Sequence, residues 1–81
     1  MDYDEDKVDD IVLALLWLTS FDEKLFGQDV RRAWKGHDWD ALRRLHEKGF
    51  IGNPVGQAKS VVVTDKGGKR SEELFRQFFC K

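Results

Sequence analysis

Apolar residues recur at helical spacing from the first ten positions onward. Val8, Ile11, Val12, Leu15 and Leu18 or Thr19 fall on one stripe. That spacing predicts a helix from about Asp4 to Thr19, opened by acids that suit the positive end of a helix dipole. Leu13, Leu16 and Trp17 lie partly outside the stripe. A helix apolar on nearly all sides must be covered on nearly all sides, and a chain of 81 residues has little core to cover it. One resolution is a homodimer with Leu13, Leu16, Trp17, Phe78 and Phe79 at its interface. The other is a helix central in a single protomer.

The next segment has a weaker pattern. Gly27 and Gly36 punctuate it, and Gln28 to Trp34 is read as a short second helix. Phe21, Leu25, Phe26, Val30, Ala33 and Trp34 are expected to pack toward the core. HDWDALRRLHEKGF then gives a third helix, with Asp38 as N-cap, Asp40 in the first turn and Gly49 at the C-terminal end. Trp39, Leu42 and Leu45 form its buried edge. Phe50 and Ile51 suit a short strand, and the β-branched run Ser60 to Val63 suits a second. Thr64 caps a last helix from about Asp65 to Phe79, with Leu74, Phe75, Phe78 and Phe79 as its apolar face. The order is helix, helix, helix, strand, loop, strand, helix, in one domain spanning residues 1–81.

Composition changes this picture little. Hydrophobic residues make up 41% and charged residues 36%, the mix of a globular chain rather than a disordered one. The longest apolar run, Ile11 to Leu18, is eight residues, well below the ~18 that would point to a membrane span. No basic, apolar leader opens the sequence. One cysteine, Cys80, permits no internal disulfide and fits a reducing, cytoplasmic setting.

Charge changes it more. Residues 1–40 carry eleven acids against five Lys and Arg, and residues 41–81 carry four against nine. The first half is an acidic end and the second a candidate basic face.

Candidate chemistry is mostly excluded. GNPVGQAKS has the glycines, lysine and serine of a phosphate loop, but Gln57 and Ala58 separate Gly56 from Lys59. A Walker-type loop needs Gly, Lys and Ser or Thr contiguous, after a strand and before a helix. Here the stretch precedes a strand, so a turn is the better reading. Lys66-Gly67-Gly68-Lys69 reads as the start of a helix. His37 and His46 lack partner ligands at metal-binding spacing, and Asp38 and Asp40 read as capping residues rather than an acid/base pair. No catalytic, metal or cofactor site is expected.

A binding module remains. LRRLHEKGFI, GNPVGQAKS and VVVTDKGGKR resemble the recognition helix, wing and closing-helix start of a winged helix-turn-helix, the fold of many bacterial regulators. The resemblance is strongest over residues 38–70. It implies an α+β fold with three helices, a two-stranded β-hairpin wing and a C-terminal helix. It also implies duplex DNA as partner, met by Arg43, Arg44 and Lys48 on the helix, Gln57 and Lys59 on the wing, and Lys66, Lys69 and Arg70 behind it. The chain departs from that pattern where Asp38 and Asp40 head the recognition helix and would repel phosphates. A protein-interaction or dimerisation module without DNA binding is therefore the alternative. The acidic start, RAWKGHDWDALRRLHEKGFI and VGQAKSVVVT are also similar to a small bacterial domain family of unknown function.

Overall fold

A computed structural model describes residues 1–81, the side chain of Leu25 excepted. The chain runs α1 (Glu5–Leu18), β1 (Ser20–Leu25), β2 (Gln28–Trp34), α2 (Trp39–Glu47), β3 (Ser60–Val62) and α3 (Asp65–Phe79). The fold is α+β, with three helices and a three-stranded antiparallel sheet in the order β1-β2-β3.

Each helix starts where a short polar side chain catches a free backbone N–H. Asp4 accepts from Lys7 N at 3.1 Å, Asp38 from Ala41 N at 3.0 Å and Thr64 from Gly67 N at 2.9 Å. Gly49, at φ 81°, ends α2 in the left-handed conformation that glycine adopts without penalty.

Residues 28–34 form a strand, not the expected helix. The segment QDVRRAW offers one buried residue, Ala33, where a helix would need a stripe. Its neighbours supply instead a hairpin partner. Phe26 and Gly27, at φ 53° and 79°, make a two-residue turn of the kind that matches strand twist. The ladder sets Asp22 opposite Arg31 and Phe21 opposite Arg32. Asp22 then pairs with Arg31 at 3.4 Å, and Glu23 with Arg32 at 3.6 Å.

The expected two-stranded wing is reduced to one bridge and one flanking hydrogen bond, from Gly52 N to Val62 O at 2.8 Å. Ile51 makes a single bridge to Val63, while β3 pairs along β2. Residues 52–59 are the loop between Ile51 and β3. Lys35 Nζ pins it by donating to Pro54 O at 2.7 Å and Gly56 O at 3.1 Å. Only one helix, α2, lies between β2 and β3, so the helix-turn-helix pair implied by the resemblance is not built.

The sheet has two unlike faces. Ala33 and Val61 point into the core, and α1 and α2 bring Leu13, Leu16, Leu42 and Leu45 to meet them. Phe21, Arg32, Trp34, Ser60 and Val62 share the opposite face by register. α3 packs on α1. Trp17 near the end of α1 shares a groove with Thr64, Gly68 and Glu72 at the start of α3, so the two helices run antiparallel. Among the described residues no helix is long and apolar enough to cross a membrane.

The buried residues of α1 are Asp9, Val12, Leu13, Ala14 and Leu16. This set is rotated from the stripe read in the sequence, because one core position is a carboxylate. Val8, Ile11 and Leu15 are half-buried and Leu18 is exposed. Of the other expected core residues, Phe21, Phe26, Trp34 and Trp39 are exposed and Val30 is half-buried. The expectation for the Leu25 side chain lies outside the described residues.

Candidate functional site

The cations expected to meet DNA are the natural starting point, and α1 takes the strongest of them. Asp9 is wholly buried in the face of α1 that meets α2. Arg44 Nε donates to Asp9 Oδ1 at 3.0 Å and to Oδ2 at 2.9 Å, and Nη2 lies 2.8 Å from Oδ1 as a charge contact. Arg44 Nη1 reaches Glu5 at 2.7 Å. Lys48 Nζ donates to Asp9 at 3.0 Å and Asp6 at 3.2 Å. Burial pushes the Asp9 carboxyl up, but its hydrogen bonds from Arg44 and Lys48 and their charges outweigh this and hold it below its ordinary range. Burial pushes the Lys48 ammonium down, and Asp9 and Asp6 more than reverse that. The hydrogen bond to Asp9 is the main cause that raises Arg44 further. Arg44 and Lys48 thus tie α2 to α1.

The remaining α2 cation, Arg43, is exposed but flanked by Asp40 at 3.6 Å and Glu47 at 3.7 Å. Behind α2, Lys66 Nζ donates to Lys48 O at 2.9 Å and sits 5.0 Å from the Phe50 ring centre. Arg70 is near Glu73 at 3.4 Å. Lys69 lines a groove with Asp22, Asp29, Asp65 and Glu72. All three lie in the first turns of α3, at the spacing of one helix face, with acids beside Lys69 and Arg70.

Gln57 and Lys59 behave differently. They line a groove of about 500 Å³ with Trp34, Lys35, Gly56 and Ala58, and no carboxylate contributes to it. Trp34 is 51% exposed and its ring centre lies 5.7 Å from that of Phe21. A helix over residues 28–34 hides the sheet face that Phe21 and Trp34 share, and Lys35, next along the chain, projects to the other side. The alternation Val30, Arg32, Trp34 after a Phe-Gly turn was the available signal.

The expected dimer residues divide. Leu13 and Leu16 are fully buried in the protomer and present nothing to a partner. Trp17 is half-buried under the Arg31 guanidinium, 4.6 Å from its ring centre. Phe78 and Phe79 are exposed. Tyr3, Asp4, Lys7, Val8, Ile11 and Val12 line a groove of about 420 Å³ along the start of α1.

Of the two histidines, His46 Nδ1 lies 3.1 Å from Ile51 O, and burial lowers the pKa of His37. Cys80 is exposed.

No solved structure matches this chain. It is 56% identical to "Uncharacterized protein y4hR" of Sinorhizobium fredii (strain NBRC 101917 / NGR234), over the full length of both chains. The model of a domain of unknown function, DUF6429, matches residues 4–81, and the chain belongs to that family.

Proposed function

We propose that this chain is a non-catalytic interaction module whose partner is a second copy of itself. The observation that carries this reading is the uncovered side of α1. Val8, Ile11, Leu15 and Leu18 repeat at the three-and-four spacing of a helix-pairing seam. Yet Val8, Ile11 and Leu15 are only half-buried, Leu18 is exposed, and Tyr3 extends the stripe. α3 packs on α1, and Phe78 and Phe79 at its end are exposed.

A twofold axis favours a self-complementary patch. Here both sides of the patch are apolar, the stripe of α1 on one and Phe78 and Phe79 on the other. A twofold rotation sets each side against the other. The fate of Arg44 and Lys48 supports the same reading, since a duplex-reading role for α2 would need them free.

Sedimentation equilibrium of the whole chain at tens of micromolar tests the proposal. Twice the protomer mass is expected. Ile11→Glu and Phe79→Glu should each return the protomer mass with the far-UV circular dichroism retained. A protomer mass for the unaltered chain at high micromolar concentration overturns the proposal.

A further inference from the structure

We propose that the outer sheet face and the groove at its end bind single-stranded nucleic acid. The β2–β3 ladder ends at Trp34 opposite Ser60, and its register carried one step further sets Lys35 against Lys59, on the other side of the sheet from Trp34. A backbone hydrogen bond reaches this pair, with Lys35 N donating to Lys59 O at 3.0 Å. Like charges directly opposite each other across two strands destabilise a sheet. A carboxylate nearby would relieve the repulsion, and among the described residues neither lysine has one. Lys35 Nζ is held instead by the neutral oxygens of Pro54 and Gly56, so its charge stays unneutralised. The groove that both lysines line also has Gln57 as a neutral donor and acceptor, and no acid. An anion is the missing counterpart.

The aromatic ledge beside the groove says which anion. Phe21 and Trp34 lie on the face of the sheet turned away from the core, and no helix covers them. The carboxylate of that face, Glu23, is paired to Arg32, which also donates to Ser60 Oγ at 2.8 Å and Ser60 O at 3.0 Å. An exposed indole with a second ring beside it offers a flat surface to an unpaired base, and base stacking tolerates any sequence. A duplex keeps its bases stacked on one another and has no use for such a ledge. The groove at the sheet end joins the two sides, so a polyanion with free aromatic faces that turns around this end meets Lys35 and Lys59 with its phosphates and Trp34 and Phe21 with its bases. The pairing surface lies on α1 and α3, so this inference stands independently of the dimer.

The test is fluorescence anisotropy of a dye-labelled oligothymidylate with the whole chain at about 50 mM salt. Binding is expected, and two phosphate contacts should weaken it about sevenfold between ~50 and ~200 mM salt. Trp34→Ala should weaken it at least ~fivefold. Lys59→Glu, at an exposed loop position that leaves the core untouched, should weaken it at least ~tenfold and flatten the salt dependence. Absence of binding overturns the proposal, as does unchanged affinity in the Lys59→Glu protein. Tighter binding of the matching duplex, or equal competition by a polyglutamate peptide, also overturns it, in favour of a plain electrostatic surface.

Discussion

Asp9 of α1 holds Arg44 of α2 through both carboxylate oxygens, at 3.0 and 2.9 Å from a single Nε. The pair sits where two helices cross, with the carboxylate wholly buried. A buried carboxylate is costly unless its partners are well placed, and removing one member of such a pair exposes the desolvation cost of the rest. Asp9→Asn keeps the shape and deletes the charge. It is expected to lower the stability by about 3–5 kcal/mol, which approaches the whole stability of a domain this small. Asp9→Leu combined with Arg44→Met should recover much of that loss, because no charge is then stranded. Chemical denaturation of the single and double variants measures both.

The same cluster sets the pH range of stability. The folded Asp9 carboxyl lies below its ordinary 3.8, so the unfolded chain takes up that proton first. Its stabilisation is complete above about pH 4 and is lost as the pH falls through the folded value. Lys48 is held above its ordinary 10.5, so its contribution is complete below that pH and is lost as the pH rises through the folded value. Burial lowers the pKa of His37 below 6.5, which adds a shallower loss as the pH falls below that point. Denaturation midpoints should therefore be highest between neutrality and about pH 10, with a first small decline on acidification that His37→Asn abolishes.

Gly67 shows the KGGK motif at work. Thr64 N and Oγ1 both donate to Phe50 O, at 3.1 and 3.0 Å, and draw the first turn of α3 onto the end of α2. A Cβ at Gly67 would overlap the Phe50 carbonyl, a backbone atom that cannot swing aside. Alanine ordinarily favours a helix over glycine by about 1 kcal/mol. Here Gly67→Ala is expected to destabilise by more than ~2 kcal/mol, whereas Gly68→Ala, with only ordinary contacts at 3.9 Å, should be neutral or stabilising. Thermal melts of the two variants separate a packing requirement from simple helix propensity.

These relationships explain which parts of the fold were legible in the sequence. Helix starts were, because Asp4, Asp38 and Thr64 cap through local chemistry that needs no tertiary partner. The buried face of α1 was not, because Asp9 occupies a core position and reads as polar until Arg44 and Lys48 are seen beside it. The β1–β2 hairpin was hidden for a related reason. Its turn uses Phe26 where a glycine or asparagine would have announced it. The candidate binding surfaces followed these errors. Lys59 was found from loop composition, but Trp34 joined it only once β2 was a strand, and the uncovered seam of α1 appeared only once its buried face was fixed.

Phe26 itself yields the last prediction. It sits at φ 53° in a tight hairpin turn and is 98% exposed, so it combines backbone strain with an aromatic ring left in water. Asparagine tolerates the left-handed region and is favoured at this turn position, whereas a bulky residue there costs on the order of 1 kcal/mol. Phe26→Asn should therefore raise the melting temperature of the isolated chain by several degrees, about 1 kcal/mol for a domain of this size. The ring lies at the hairpin tip, away from both the α1–α3 seam and the Lys35–Lys59 groove. The same variant should consequently leave the sedimentation mass and oligothymidylate affinity unchanged. A stabilised variant that loses either property would place the hairpin tip within that binding surface.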